Sequence, residues 1–297
     1  MVVAGVACAR GDTTVSDLAW VAGPTLRRPI LLVALTGLFD AGSVATAALG
    51  HLEGWLDATP VATIDPDRYY NFTSQRPTVR LDDDDHRTIL WPTNELVAAR
   101  IEIGSHDLVL LRGDEPHLRW RTYTGLVLEA ATTLGCELVV TLGATPAAVP
   151  HTRRPRVVGS STTPDLVRRL GLSSPTYEGP TGLVGVLLDA LDDVGLPSVS
   201  LRVPVPHYAL RAGHPQAIQA LLLHVEHVTG APTGHADLDR EIAAERRKLD
   251  AYVANDDKIG RYVETLEARY DAELAMSVPS GDELAAELER FLQERDD

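Results

Sequence analysis

The chain reads as an α/β fold: a mostly parallel sheet covered by helices on both faces, with a helical appendage at its C-terminal end. Short apolar runs alternate with helix-length patterns from residue 30 to residue 228, the order that builds a parallel sheet with crossover helices. A Gly/Pro-rich break follows at Gly230-Ala-Pro-Thr-Gly-His. Beyond it the apolar residues keep only helical spacing, at Leu238, Ile242, Leu249, Val253, Ile259, Val263, Leu266, Tyr270 and Leu274.

In chain order, residues 30–35 (ILLVAL) predict a buried strand, 37–43 a loop and 44–56 a helix. Residues 78–81 and 88–91 flank four aspartates, Asp82 to Asp85, and predict a hairpin with an acidic, solvated tip. Neighbouring carboxylates on a turn diverge, so this run lacks the alternating ligands of a calcium loop. Residues 108–111 predict a strand, 118–133 a helix, 137–142 a strand, 163–170 and 183–194 helices, 199–203 a strand and 216–228 a helix. Asn255 and Gly260 interrupt the C-terminal stripe, which predicts two helices or a kinked one. A third helix over 282–293 is predicted to start at Ser280, with Glu283 in capping-box spacing. The expected organisation is a loose extension over 1–17, an α/β core over 18–230 and a helical appendage over 231–297, which either packs on its own subunit or serves as an arm for partner contacts.

Composition sets the outer bounds. Of the 297 residues 44% are apolar, enough for one large core. A formal charge of −15 repels nucleic-acid phosphates and anionic membrane surfaces. The basic residues are nearly all arginine, with lysine only at 248 and 258, a usage typical of a high-GC bacterial genome. Two cysteines, Cys8 and Cys136, form neither a disulfide framework nor a metal-ligand spacing and point to a reducing cytoplasm. No continuous apolar run approaches the roughly 20 residues of a membrane span. The expectation is a cytosolic protein without metal or cofactor. His224 and His227, three apart on a predicted helix, lack the i, i+4 spacing of a zinc helix.

The segment Tyr177-Glu178-Gly179-Pro180-Thr181-Gly182-Leu183 places two glycines and a proline before an apolar helix. Gly179 and Gly182 are expected to take backbone angles closed to other residues, while Pro180 and Thr181 suit a first helical turn with free N–H groups. That geometry either holds an anion or turns the chain tightly into the helix. YEGPTG, with RPTVRL (76–81), LRGDEPHLRWRTYT (111–124), VTLGA (140–144), PHTRRP (150–155) and VPHY (205–208), resembles the proteasome assembly chaperone 2 family, in its actinobacterial form. The resemblance implies a three-layer αβα sandwich similar to the nucleoside phosphorylase and hydrolase fold. The family's string at 150–155 is PHTRP, so the extra arginine leaves open whether Arg153 or Arg154 is its counterpart.

Candidate ligand-binding residues lie where loops leave presumed strand ends: Gly37, Asp40 and Ser43; Glu115; His151, Arg153 and Arg154; Gly179, Pro180, Thr181 and Gly182; and His207. Ser43 is expected to cap the helix that follows it. Arginines could clamp a phosphate or carboxylate while a histidine or Glu115 moves a proton. No nucleophile elbow or zinc-helix motif accompanies them, so no catalytic residue is assigned. Two functions follow. The resemblance implies a non-enzymatic, chaperone-like protein that self-associates as a homo-oligomer and binds protein clients related to the proteasome. The alternative is a phosphorylase- or hydrolase-type enzyme for a small anionic or nucleoside-like ligand.

Overall fold

Every residue of ILLVAL is buried, and this segment is the centre of the sheet, as an unbroken apolar run predicts for a strand covered on both faces. The computed structural model describes residues 17–21, 23–82, 85–211 and 213–277. In chain order they form β1 (Leu18–Trp20), β2 (Ile30–Thr36), α1 (Val44–Trp55), β3 (Thr59–Ile64), β4 (Thr78–Leu81), β5 (Arg87–Leu90), β6 (Asn94–Ala99) and β7 (Leu108–Asp114). They continue with α2 (Trp120–Thr133), β8 (Leu138–Ala147), β9 (Val158–Ser160), α3 (Pro164–Leu170), α4 (Leu183–Asp193), β10 (Ser198–Pro206), α5 (Pro215–Thr229), α6 (Asp239–Ala254) and α7 (Asp257–Ser277). The predicted third C-terminal helix lies outside the described residues.

The main sheet has the order β1-β3-β6-β7-β2-β8-β10-β9, and β4 and β5 form a separate two-stranded sheet. The parallel part is the centre, β7-β2-β8-β10. Its flanks are antiparallel: β1, β3 and β6 on one side, β9 on the other. These flanking strands are absent from the sequence reading. β9 and β1 are three residues each, and β3 is disturbed by a register shift between Pro60 and Ala62, so none gives a clean apolar run.

Alternation along β2 divides the molecule into layers. Ile30, Leu32 and Ala34 join α1 and α5 in one apolar cluster, while Leu31, Val33 and Leu35 join α2 and α4 in another. A helix layer on each face of the sheet makes the α/β sandwich. Burial of Cys136 against the α2/α4 layer pushes its thiol up to about 12. In a Cys8→Ser background, iodoacetamide at pH 8 should leave the folded protein unmodified and label it once on unfolding, as read by intact mass; rapid labelling of the native protein would contradict this packing.

The C-terminal stripe folds as two helices. The chain breaks at Asn255-Asp256, where Asp256 Oδ1 accepts from the N–H groups of Lys258 (2.8 Å) and Ile259 (3.2 Å) and so starts α7. Gly260 lies inside α7 and makes no break. Val263 and Leu266 are buried, and Ile242 packs against the α1/α5 core.

Candidate functional site

The predicted site residues fall into two clusters, one at the carboxyl edge of the parallel strands and one beneath α6 and α7. At the sheet edge the turn after β2, the end of β7 and the loop before α4 meet on Glu115. The Glu115 N–H donates to Thr36 O (3.0 Å), which fixes its backbone to β2. Its Oε1 accepts from the Leu183 N–H at 2.8 Å and its Oε2 lies 3.4 Å from the Leu38 N–H. Gly37 has φ +134°, and a Cβ there would stand 2.4 Å from Glu115 Oε2. The close approach requires glycine.

The helix N-terminus after GPTG therefore already carries an anion, supplied by the chain itself: Glu115 takes the first free N–H of α4. The expected geometry of the loop is corrected in two respects. Gly182 is extended, with φ −93° and ψ −177°, so strain is absent there; a Cβ would instead press on Glu115 Oε1 and Phe39 at 3.1 Å. The positive φ belongs to Gly179 (+150°). Pro180 and Thr181 precede the helix and do not form its first turn, because α4 begins at Leu183.

The start of α1 is capped by Asp40, and Ser43 makes no cap hydrogen bond. Ser43 sits in left-handed backbone (φ 57°), not in the extended conformation from which a cap residue reaches the helix N–H groups. Asp40, buried, reaches past it: Oδ1 accepts from the Ala45 N–H (2.7 Å) and Thr46 N–H (3.3 Å), and Oδ2 from the Thr46 hydroxyl (2.5 Å). Burial raises its pKa, and these three donors oppose the rise. Asp40 is thus committed to holding α1.

The second cluster ties the 150–155 segment to the C-terminal helices. His151 is buried, with Nε2 3.1 Å from Asp250 Oδ1 and Nδ1 2.7 Å from the Tyr208 hydroxyl. A carboxylate only accepts, so Nε2 carries the proton and Nδ1 accepts from Tyr208, whose oxygen accepts the His151 N–H (2.8 Å). Both ring nitrogens are occupied. Arg153 makes a bidentate pair with Asp271 (2.8 Å for both bonds) and reaches Glu267 at 3.3 Å, and these partners raise its pKa. The Arg154 carbonyl accepts from the Tyr270 hydroxyl. His207 joins through Tyr262, 3.3 Å from its Nε2. Acidic and aromatic residues of α6 and α7 occupy these groups.

Beside the first cluster, a cavity of about 690 Å³ opens between α4 and the sheet. Gly179, Pro180 and Thr181 line it, with Phe39 of the first loop. His151, Arg153, Arg154 and His207 do not. Its floor is polar because β8 and β10 alternate: Val140, Val199 and Leu201 face the α1/α5 core, while Thr141, Ser200 and Arg202 face α4.

Residues 34–253 match the model of the PAC2 family. The chain belongs to the PAC2 family. It is similar to a PAC2 family protein from Streptomyces avermitilis, at 38% identity and a TM-score of 0.74, over 79% of this chain and 99% of that one. It is similar also to a Mycobacterium tuberculosis proteasome-assembly chaperone homologue, at 35% identity and a TM-score of 0.72, again over 79% and 99%. A Mycobacterium tuberculosis protein of unknown function matches at 31% identity and a TM-score of 0.78, over 87% of this chain and 92% of its own. Among curated proteins nothing matches.

In this PAC2 chain the recognised strings have clear places. RPTVRL ends in β4, VTLGA lies in β8, PHTRRP meets α7, and YEGPTG borders the cavity. Sequence reading overlooked Arg202, Asp189 and Asp192, the charged groups of that cavity, and the anchors Asp250, Glu267 and Asp271. An arginine inside the apolar strand SVSLRVPVP was the available signal for the first; acidic residues on a charged helix give none. Among the described residues no helix is long and apolar enough to cross a membrane.

Proposed function

We propose that this PAC2 protein is a non-enzymatic, proteasome-assembly-chaperone-like protein that self-associates and holds proteasome-related partner chains. The hairpin carries the reading. Every residue of β4 and β5 is exposed, and Val79 lies directly opposite Ile89, with Leu81 two positions on and on the same face. These side chains are 47%, 47% and 60% exposed, and a two-stranded sheet is marginal in water without a cover for such a face. A second copy fits it. Arg87, opposite Leu81 on that face, and Asp85 at the turn let two hairpins related by a two-fold axis oppose unlike charges. The family supports the wider role, since a relative 35% identical over nearly its whole length is named as a proteasome-assembly chaperone homologue. The commitment of Glu115, Asp40, His151 and Arg153 to internal partners supports a scaffold over a reaction centre.

Light scattering after gel filtration tests the first part. The wild-type chain should elute as an oligomer of its 32.1 kDa subunit, and Val79→Glu with Ile89→Glu should give monomer with unchanged far-UV circular dichroism. A monomeric wild type, or a mass unmoved by the substitutions, would overturn the hairpin contact. For the second part, proteasome subunits from the source cell are mixed with the protein, and native gels should show faster assembly, lost in the same variant.

A further inference from the structure

The cavity beside α4 has a charge arrangement that the chaperone-like role does not use. Arg202, on the floor, is exposed, and its guanidinium makes no hydrogen bond or ion pair among the described residues. Asp189 and Asp192, one turn apart on α4, are exposed on the wall, and neither pairs with it. Gly143 shapes the floor: a Cβ there would stand 3.3 Å from Arg202 Cγ and 3.2 Å from Phe39 O, so the glycine lets the arginine stem lie across β8. Thr141 supplies an independent sign. It is 1% exposed, lines the cavity, and its hydroxyl has no partner. A buried hydroxyl left unpaired is unfavourable, and a ligand reaching the floor would relieve it.

We propose that this cavity binds a small zwitterion: a molecule with a carboxylate at one end, an ammonium at the other and an apolar stem between, the chemistry of amino acids and short peptides. The carboxylate meets Arg202 and the free donor of Thr141, and Asp189 and Asp192 receive the ammonium. The two signs exclude simpler classes, because a lone anion meets the aspartate pair and a lone cation meets Arg202. Phe39, Leu188 and Pro175 give the stem apolar walls, and the volume falls in the range of small-molecule sites, about 300–1,000 Å³. Parallel β8 and β10 bring Thr141 and Arg202 onto one floor, with Ser200 paired to Thr141 and Arg202 to Gly143.

Titration calorimetry and thermal shift on the full chain decide it, with 6-aminohexanoate and 8-aminooctanoate as zwitterions of two lengths and octanoate and octylamine as single-charge controls. At least one zwitterion should bind one-to-one and raise Tm, with each control weaker by roughly tenfold or more. Arg202→Gln should reduce the zwitterion to the level of octylamine and strengthen octylamine itself, since the like charge is gone. Asp189→Asn with Asp192→Asn should reduce it to the level of octanoate. These positions are exposed, so the variants keep the wild-type unfolding curve. No binding by either zwitterion at millimolar concentration, equal binding of octanoate, or an Arg202→Gln variant with unchanged affinity would overturn the proposal. The hairpin assay is independent of all three results.

Discussion

Gly113→Ala should destabilise the protein by about 4 kcal/mol or more, the largest effect expected of any single methyl group added to this fold. A Cβ at Gly113 would fall 1.6 Å from Asn94 Oδ1 and 2.6 Å from the Thr93 carbonyl. Neither can yield. Asn94 is fully buried, and its amide donates to the Tyr70 hydroxyl and, at 3.2 Å, to Asp114 O, while the Tyr70 hydroxyl itself donates to Asp114 O at 2.6 Å. The methyl would have to push β6 from β7 or break this network, and Gly113 also pairs with Leu35 in the centre of the sheet. At roughly 2–4 °C per kcal/mol for a domain of this size, Tm should fall by about 8–16 °C. Gly125→Ala is the matched control. It lies inside α2 with open space at its Cβ, so the same change should stabilise by about 0.5–1 kcal/mol. A Gly113→Ala variant that unfolds with the wild type would mean that β6 and β7 are not packed through Asn94.

Glu115→Ala should cost about 1.5–3 kcal/mol, because it removes a charged acceptor from the Leu183 N–H and releases two loops together. Hydrogen exchange should accelerate at the first turn of α4 and around Leu38, and stay unchanged in α1, which Asp40 caps separately. Glu115→Gln keeps an acceptor and should recover part of the loss. The alanine variant should also acquire a sulfate-dependent rise in Tm that the wild type lacks, since the vacated N-terminus of α4 can then receive an external anion. Equal sulfate responses in both proteins would show that Glu115 does not fill that position.

Two features of the site explain how far the sequence could be read. Gly37, Glu115 and Gly182 are far apart in the chain, but loops at strand ends gather at one edge of an α/β sheet, and the structure brings those three together. His151, Arg153 and Arg154 satisfied the same rule but lie under α6 and α7, because the charged face that holds them has no spacing of its own to announce its partner. Ser43 looked like a helix cap by residue type. The left-handed turn at Ser43 hands that task to Asp40, three residues earlier.

By itself the sequence determined the alternation of strands and helices, the two covered faces of the central sheet, the hairpin with its acidic tip and the family, because each is written in local periodicity or in short strings of residues. Only the tertiary structure decided the antiparallel flanks, the internal anion at α4 and the cavity floored by Thr141 and Arg202. Those depend on which strand lies beside which, and pairing is set by long-range burial of whole faces, which no short window of residues contains.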